Sequence, residues 1–320
     1  MKLSDKQLAH FDEHGYAIAE DVLTDVDLDP VVRDYAGHID RRARELHAAG
    51  KLSRTWEEEP FERRLARICE ENTEIYDDID IPAFRGRGVF EFLGNERLMD
   101  VVEPIVGPEI ICSPIQHTRA KLPQSFVPDT DDGDPEAEKR RNMVSSNVAP
   151  WHQDAQVHQE IADSTFILTV WIPLVDATPE NGCLQIVPGV HRERTVLWWK
   201  RPGWGIDDED LVDREAVTLP MRRGSVLLLH KLIPHRSTPN LTDGIRWSMD
   251  LRYQKTGTPT GRELYPHFVT RSRSRPESKY TDYQDWCRRW IEILDKVPLG
   301  SHPVRATPLT EHTSVPIETR

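Results

Sequence analysis

The stretch GSVLLLHKLIPHRSTPNLTDGIRWSMDLRYQ, residues 224–254, decides the fold. SVLLLHKLIPH is a short apolar run, and RWSMDLRYQ is a second strand-like run. The turn chemistry of TPNLTDG between them brings the second run back beside the first. Similar runs rich in Val, Ile, Leu and Thr lie upstream, in IICSPIQHTRAKL, TFILTVWIPLVD, CLQIVPG and AVTLPM, with PENG and RRG among the turns. Many short strands at close spacing predict an antiparallel sandwich or barrel rather than alternating βα units.

Outward from this core, the first third reads as helical. Ser4 is the expected N-cap of a helix over 5–14, and Gly15 its stop. DLDPVVRDYAGHIDRRARELHAAG, FERRLARICEEN and ERLMDVVEPIVG carry apolar residues at helical spacing, as does DYQDWCRRWIEIL near the C-terminus. The chain therefore reads as one mostly β domain over 1–320, with a β core at about 110–255, a helical part at 1–109, and a helix and tail at 256–320. The segment from Pro123 to Pro150 is polar and aperiodic, which suits a lid or an insertion. The tail from Pro298 is expected to wrap the surface.

Composition narrows the function. The 41 Lys and Arg against 54 Asp and Glu give a net charge of −13, the wrong sign for a nucleic-acid or anionic-membrane surface. The four cysteines, Cys69, Cys112, Cys183 and Cys287, form no CxxC pair, which fits a reducing cytoplasm. The N-terminus is too polar for a signal peptide, and FILTVWIPLV is too short to span a bilayer. The expectation is a cytoplasmic monomer or homodimer acting on a small molecule.

The candidate chemistry lies in APWHQDAQVHQE, residues 149–160. If residues 150–154 are a strand, His152 and Asp154 project from one face and can hold adjacent positions on one metal. His235, at the end of the apolar run, is the expected third ligand. Two His and one carboxylate with open positions suit non-haem Fe(II). His158 and His230 are alternative ligands by position. A helical HxxxH zinc site is disfavoured by Pro150 and the β context, and His230 is expected to pack inward.

Around these ligands the sequence resembles the phytanoyl-CoA dioxygenase family of Fe(II)/2-oxoglutarate oxygenases, which includes ectoine hydroxylase. WHQD matches its first ligand motif, VWIPLVDATPENGCLQIVPGVHR its central block, and the stretch of 224–254 its distal block; LSDKQLAHFDEHGYAIAEDVLT resembles its opening helix and strand. The resemblance runs from about residue 4 to 255. It implies a double-stranded β-helix (a jelly roll, cupin-like), with Fe(II), 2-oxoglutarate and O2 as cofactors and cosubstrates. It implies that His152, Asp154 and His235 bind iron, that Arg246 with Ser237 holds the far carboxylate of 2-oxoglutarate, and that Trp171 stands near it. A planar guanidinium fork suits a carboxylate better than an ammonium does. Gln116 and Thr118 share a strand face and are candidates to line the same pocket.

The resemblance also implies hydroxylation or a related oxidation, with succinate and CO2 released, since halogenating relatives carry Gly or Ala where Asp154 stands. The resemblance also makes His158 a substrate candidate, six residues after His152, where ectoine hydroxylase has a substrate-contacting aromatic residue. Trp198, Trp199 and Trp204 offer aromatic surface for substrate, or pack a long loop onto the barrel. Part of 124–148 is expected to close over the site, with Met143 and Asn147 on its inner side. The competing readings are a metal-binding cupin-like lyase or isomerase, and an inactive binding protein on the same scaffold.

Overall fold

A computed structural model describes residues 2–127, 138, 140–144, 149–197, 205–206, 208–298, 305, 312–316 and 318. Helix α1 (Asp5–His14) begins with a capping box between Ser4 and Gln7 and ends at Gly15, whose φ of 78° is left-handed. Strand β1 (Tyr16–Ala19) follows, then α2 (Asp25–Ala48). The buried face of α2, with Leu28, Val31, Tyr35, Ile39, Ala43 and Leu46, repeats at helical spacing. Helices α3 (Phe61–Glu71), α4 (Ile81–Phe84), α5 (Arg87–Leu93) and α6 (Glu96–Val106) complete the helical part.

Next come β2 (Glu109–Cys112), β3 (His117–Lys121), β4 (Ile167–Pro173), β5 (Leu184–Ile186), β6 (Thr195–Val196), β7 (Val217–Leu219), β8 (Val226–His230), β9 (His235–Ser237), β10 (Arg246–Lys255) and β11 (Phe268–Ser272). Helix α7 (Tyr283–Leu294) and β12 (Thr313–Ser314) end the chain. The large antiparallel sheet runs β1-β8-β4-β10-β2-β11, with β3 also paired to β10. The first half of β10 pairs β3 (Arg246 opposite Lys121), while its far end pairs β2 (Tyr253 opposite Cys112). A small sheet, β7-β5-β9, faces it, giving the double-stranded β-helix. The large sheet thus takes in two strands from outside 110–255, β1 and β11.

The large sheet is buried on both faces: β4 and β8 are nearly continuous apolar runs, while β10 alternates polar and apolar residues. Leu168, Val170 and Ile172 of β4 and Trp247, Met249 and Leu251 of β10 pack with the helices. The opposite face places Trp171, Leu227 and Leu229 against Leu184, Ile186 and Leu219 of the small sheet. Gly182, at φ 97°, lets the small-sheet turn close down: a Cβ there would lie 2.6 Å from Lys121 Cδ.

Two expectations are corrected. Residues 150–154 do not form a strand: His152 makes an isolated bridge to His235, and Asp154 opens a 3₁₀ turn over Asp154–Val157. The described part of the tail does not simply wrap the surface. Arg305 and Val315 are buried, and Arg305 pairs with Asp163. Glu318 bonds His230 Nε2 at 2.9 Å and Lys231 Nζ at 2.8 Å. No described helix is long and apolar enough to cross a membrane.

Candidate metal and cosubstrate site

The bridge between residues 152 and 235 is a reciprocal pair, His152 N–H to His235 O at 3.0 Å and His235 N–H to His152 O at 2.9 Å. It sets the two imidazoles side by side, with centroids 4.1 Å apart. His152 Nδ1 lies 2.8 Å from Pro150 O, and His235 Nδ1 lies 3.0 Å from Ile233 O. Each ring donates there, leaving Nε2 as a bare acceptor, the form a metal requires. The turn that opens at Asp154 is fastened by Ala155 N–H to Lys231 O and brings the carboxylate in. Asp154 Oδ1 is 4.0 Å from His235 Nε2, and one ligand atom from each of the three residues lies within 4.8 Å of the others.

Burial, then the neighbouring His235, pushes the His152 imidazole down to about 4, so it is neutral near neutral pH. Burial works against the Asp154 carboxylate. Arg252, then the two histidines and Thr169, more than offset that and hold it well below the usual carboxylate range. Arg252 Nη2 donates to Asp154 Oδ1 at 2.6 Å, and the Thr169 hydroxyl donates to Oδ2. The donor set is therefore two imidazoles whose Nδ1 atoms face carbonyls and an ionised carboxylate, which fits Fe(II).

A cavity opens beside the histidines, lined among others by Trp171, Ser237, Arg246, Asp250 and Arg119. Arg246 is 3% exposed. It donates to Ser248 Oγ and stands 5.3 Å from the Trp171 ring centroid. No described carboxylate pairs with it, and its Nε has no partner among the described residues. A buried guanidinium in that state is costly unless a ligand anion joins it, so the residues also fit a dicarboxylate. Beside it, fully buried Lys121 donates to Ser237 Oγ at 2.6 Å, and burial, then Arg246, pushes its ammonium down to about 6.

The other candidates fall elsewhere. Thr118 lies on the face of β3 that carries Ala120 and, across the register, Met249 and Trp247, so it points to the helical layer. Gln116 turns back on its own segment, donating to Ser113 O at 2.8 Å. His158 is buried outside the cavity lining, with Nδ1 3.0 Å from Thr260 O. Met143 packs into the main helical core. Trp199, with Trp198, Trp204 and Asn147, lies outside the described residues. His230 is engaged by Glu318 rather than by the ligand cluster.

Arg119, Lys121, Thr169, Asp250 and Arg252 were not selected from the sequence. A signal for two of them exists in RWSMDLRYQ: Arg246, Ser248, Asp250 and Arg252 recur every second residue, while Trp247, Met249, Leu251 and Tyr253 alternate into the core.

The sequence profile described as phytanoyl-CoA dioxygenase (PhyH) matches residues 11–248. The chain belongs to the phytanoyl-CoA dioxygenase family. That family comprises Fe(II)- and 2-oxoglutarate-dependent dioxygenases. Among curated relatives, phytanoyl-CoA dioxygenase domain-containing protein 1 of Danio rerio is 31% identical over 119 residues, covering 32% of this chain and 38% of that protein. A methylphosphonate hydroxylase of Gimesia maris is 37% identical over 116 residues, covering 36% of this chain and 42% of that protein. The chain thus spans less than half the length of these two relatives. The solved structure of the non-heme monooxygenase ThoJ in its apo form superposes with a TM-score of 0.54 at 17% identity, over 90% of this chain and 97% of that one, a likeness of fold.

Proposed function

We propose that the protein is an Fe(II)/2-oxoglutarate-dependent oxygenase that hydroxylates, or otherwise oxidises, a small-molecule metabolite and releases succinate and CO2. One observation carries this reading: the His152, Asp154 and His235 ligand atoms lie within 4.8 Å of one another, and their cavity also holds a buried Arg246 without a described acid. His152 and His235 would ligate through Nε2 and Asp154 through a carboxylate oxygen. Arg246, Ser237 and Lys121 would hold the far carboxylate of the cosubstrate, with Trp171 as its wall. When bound, iron and the 2-oxo acid would supply the oxidising chemistry with O2, one oxygen atom passing into succinate as CO2 leaves and the other to the oxidation of the substrate.

The chain's own work is geometric and electrostatic. The backbone carbonyls of Pro150 and Ile233 fix both imidazole tautomers, and Arg252 and Thr169 fix the carboxylate. The apolar contacts of Trp171, Leu184 and Leu229 keep water from the inner wall. A carboxylate at 154 leaves no ligand vacancy of the kind that halogenating relatives have, which favours hydroxylation.

Anaerobic titration of the protein with Fe(II) and 2-oxoglutarate tests the reading. A weak visible charge-transfer band should appear in wild type and be lost in His152→Ala. No band in wild type overturns the proposal. A mass-spectrometric screen for a product with one added oxygen atom then seeks the substrate.

A further inference from the structure

Two cations of the cavity, Arg119 and Arg236, are not used by the scheme above, and Arg119 is the one without a described hydrogen-bond or ion-pair partner. Arg119 sits on β3 opposite Ser248 of β10, and it lines the same cavity as His152, His235 and Arg246. Its strand neighbours Thr118 and Ala120 face the helices, so alternation turns Arg119 inward with Lys121. It is half-buried and forms no hydrogen bond or ion pair with any described residue.

The other charges around the cavity are engaged. Arg246 donates to Ser248 and lies over Trp171. Arg236 donates to Gln185 Oε1 at 2.8 Å and lies 4.7 Å from the Trp151 ring centroid. Asp250 meets Arg252 at 3.1 Å, the same guanidinium that holds Asp154. No described acid lining the cavity pairs with Arg119, and Asp80, whose carboxylate feels its charge, is already bonded to His117. A divalent metal and a dicarboxylate bring equal and opposite charge, so loading the site supplies no net negative charge to offset Arg119. A molecule filling the cavity strips water from Arg119 and leaves five N–H donors that need an acceptor.

We propose that Arg119 recognises an anionic group, a carboxylate or a phosphonate, on the substrate that is oxidised, so that the substrate class is organic acids rather than neutral metabolites. This rests on the oxygenase reading, with 2-oxoglutarate at the Arg246 end. The planar fork of Arg119 matches both oxyanions bidentately. From β3 it would fix the acid end of the substrate while the remainder lies along the cavity toward the histidines.

The test uses the full chain loaded with Mn(II) and 2-oxoglutarate under anaerobic conditions, titrated calorimetrically with hexanoate, hexylphosphonate and hexanamide. Wild type should bind at least one of the two anions and discriminate against the isosteric amide. Arg119→Gln should weaken the anion by at least about tenfold, the size of a lost hydrogen bond to a charged group. Arg119→Lys should retain part of the affinity. The 2-oxoglutarate affinity and the melting temperature of Arg119→Gln should stay close to wild type. Amide binding equal to that of the anions, an unaffected Arg119→Gln, or no anion binding to loaded wild type each overturns the proposal. A parallel fall in 2-oxoglutarate affinity reassigns Arg119 to the cosubstrate and also overturns it. Failure of wild type to bind 2-oxoglutarate at all strikes instead at the oxygenase reading.

Discussion

Replacing Arg252 by Met separates the architecture of the ligand cluster from the metal itself. Asp154 and Arg252 are 1% and 3% exposed, and their atoms meet at 2.6 Å. The variant keeps the apolar stem of the side chain but leaves a buried carboxylate with only the Thr169 hydroxyl and the two histidine rings. Removing one partner of a buried ion pair costs about 3–5 kcal/mol. The metal-free variant should therefore melt lower by roughly 5–10 °C, at a few degrees per kcal/mol for a chain of this size. A divalent cation returns the missing countercharge, so Mn(II) should raise the melting temperature of the variant more than that of wild type. Its Mn(II) affinity should be at least equal, because Arg252 no longer competes for the same oxygen.

The pH dependence has a fixed sign. A carboxylate held below its ordinary range contributes stability above the unfolded pKa and loses it as pH falls through the folded value. In Arg252→Met that loss should begin at higher pH. Thermal melts with and without Mn(II) across acid to neutral pH, with calorimetric metal affinities, measure all of this. A metal-free variant as stable as wild type, or one that gains less from Mn(II), would falsify the account of Arg252.

Arg246→Ala should raise the 2-oxoglutarate KM by the equivalent of about 2–5 kcal/mol, with Arg246→Lys recovering only part, since charge without the fork is not enough; an unchanged KM in steady-state assays removes Arg246 from the cosubstrate end. Lys121, pushed from 10.5 to about 6, is neutral near neutral pH, and a carboxylate arriving beside it should restore its proton. Calorimetry in buffers of different ionisation enthalpy should then show proton uptake on 2-oxoglutarate binding, weaker binding as pH rises, and neither effect in Lys121→Met. No buffer dependence in wild type refutes it. With the unfolded chain holding the extra proton between those two values, the Lys121 contribution makes wild type gain stability as pH rises between them, and Lys121→Met should flatten that rise in urea melts.

Much of this protein was legible before any tertiary contact was known. The Ser4 cap and Gly15 stop are local, and local chemistry set both ends of α1. Strands β4 and β8 announced themselves as apolar runs, because both of their faces are buried. His152, Asp154, His235 and Arg246 could be named because their residue types and the motifs around them are sparse. What stayed hidden depends on registration between distant segments. Alternation on β3 says that Thr118 shares a face with Ala120, and Arg119 with Lys121, but not which face meets the cavity. The pairing of Lys121 with Arg246 across β10 decided that, and it turned Arg119 and Lys121 inward and Thr118 outward. The same holds for Asp154: its approach rests on a 3₁₀ turn anchored to Lys231 and on Arg252, 98 residues away along the chain. Such contacts carry no local signature, since each is favourable only after the two sheets have closed on one another.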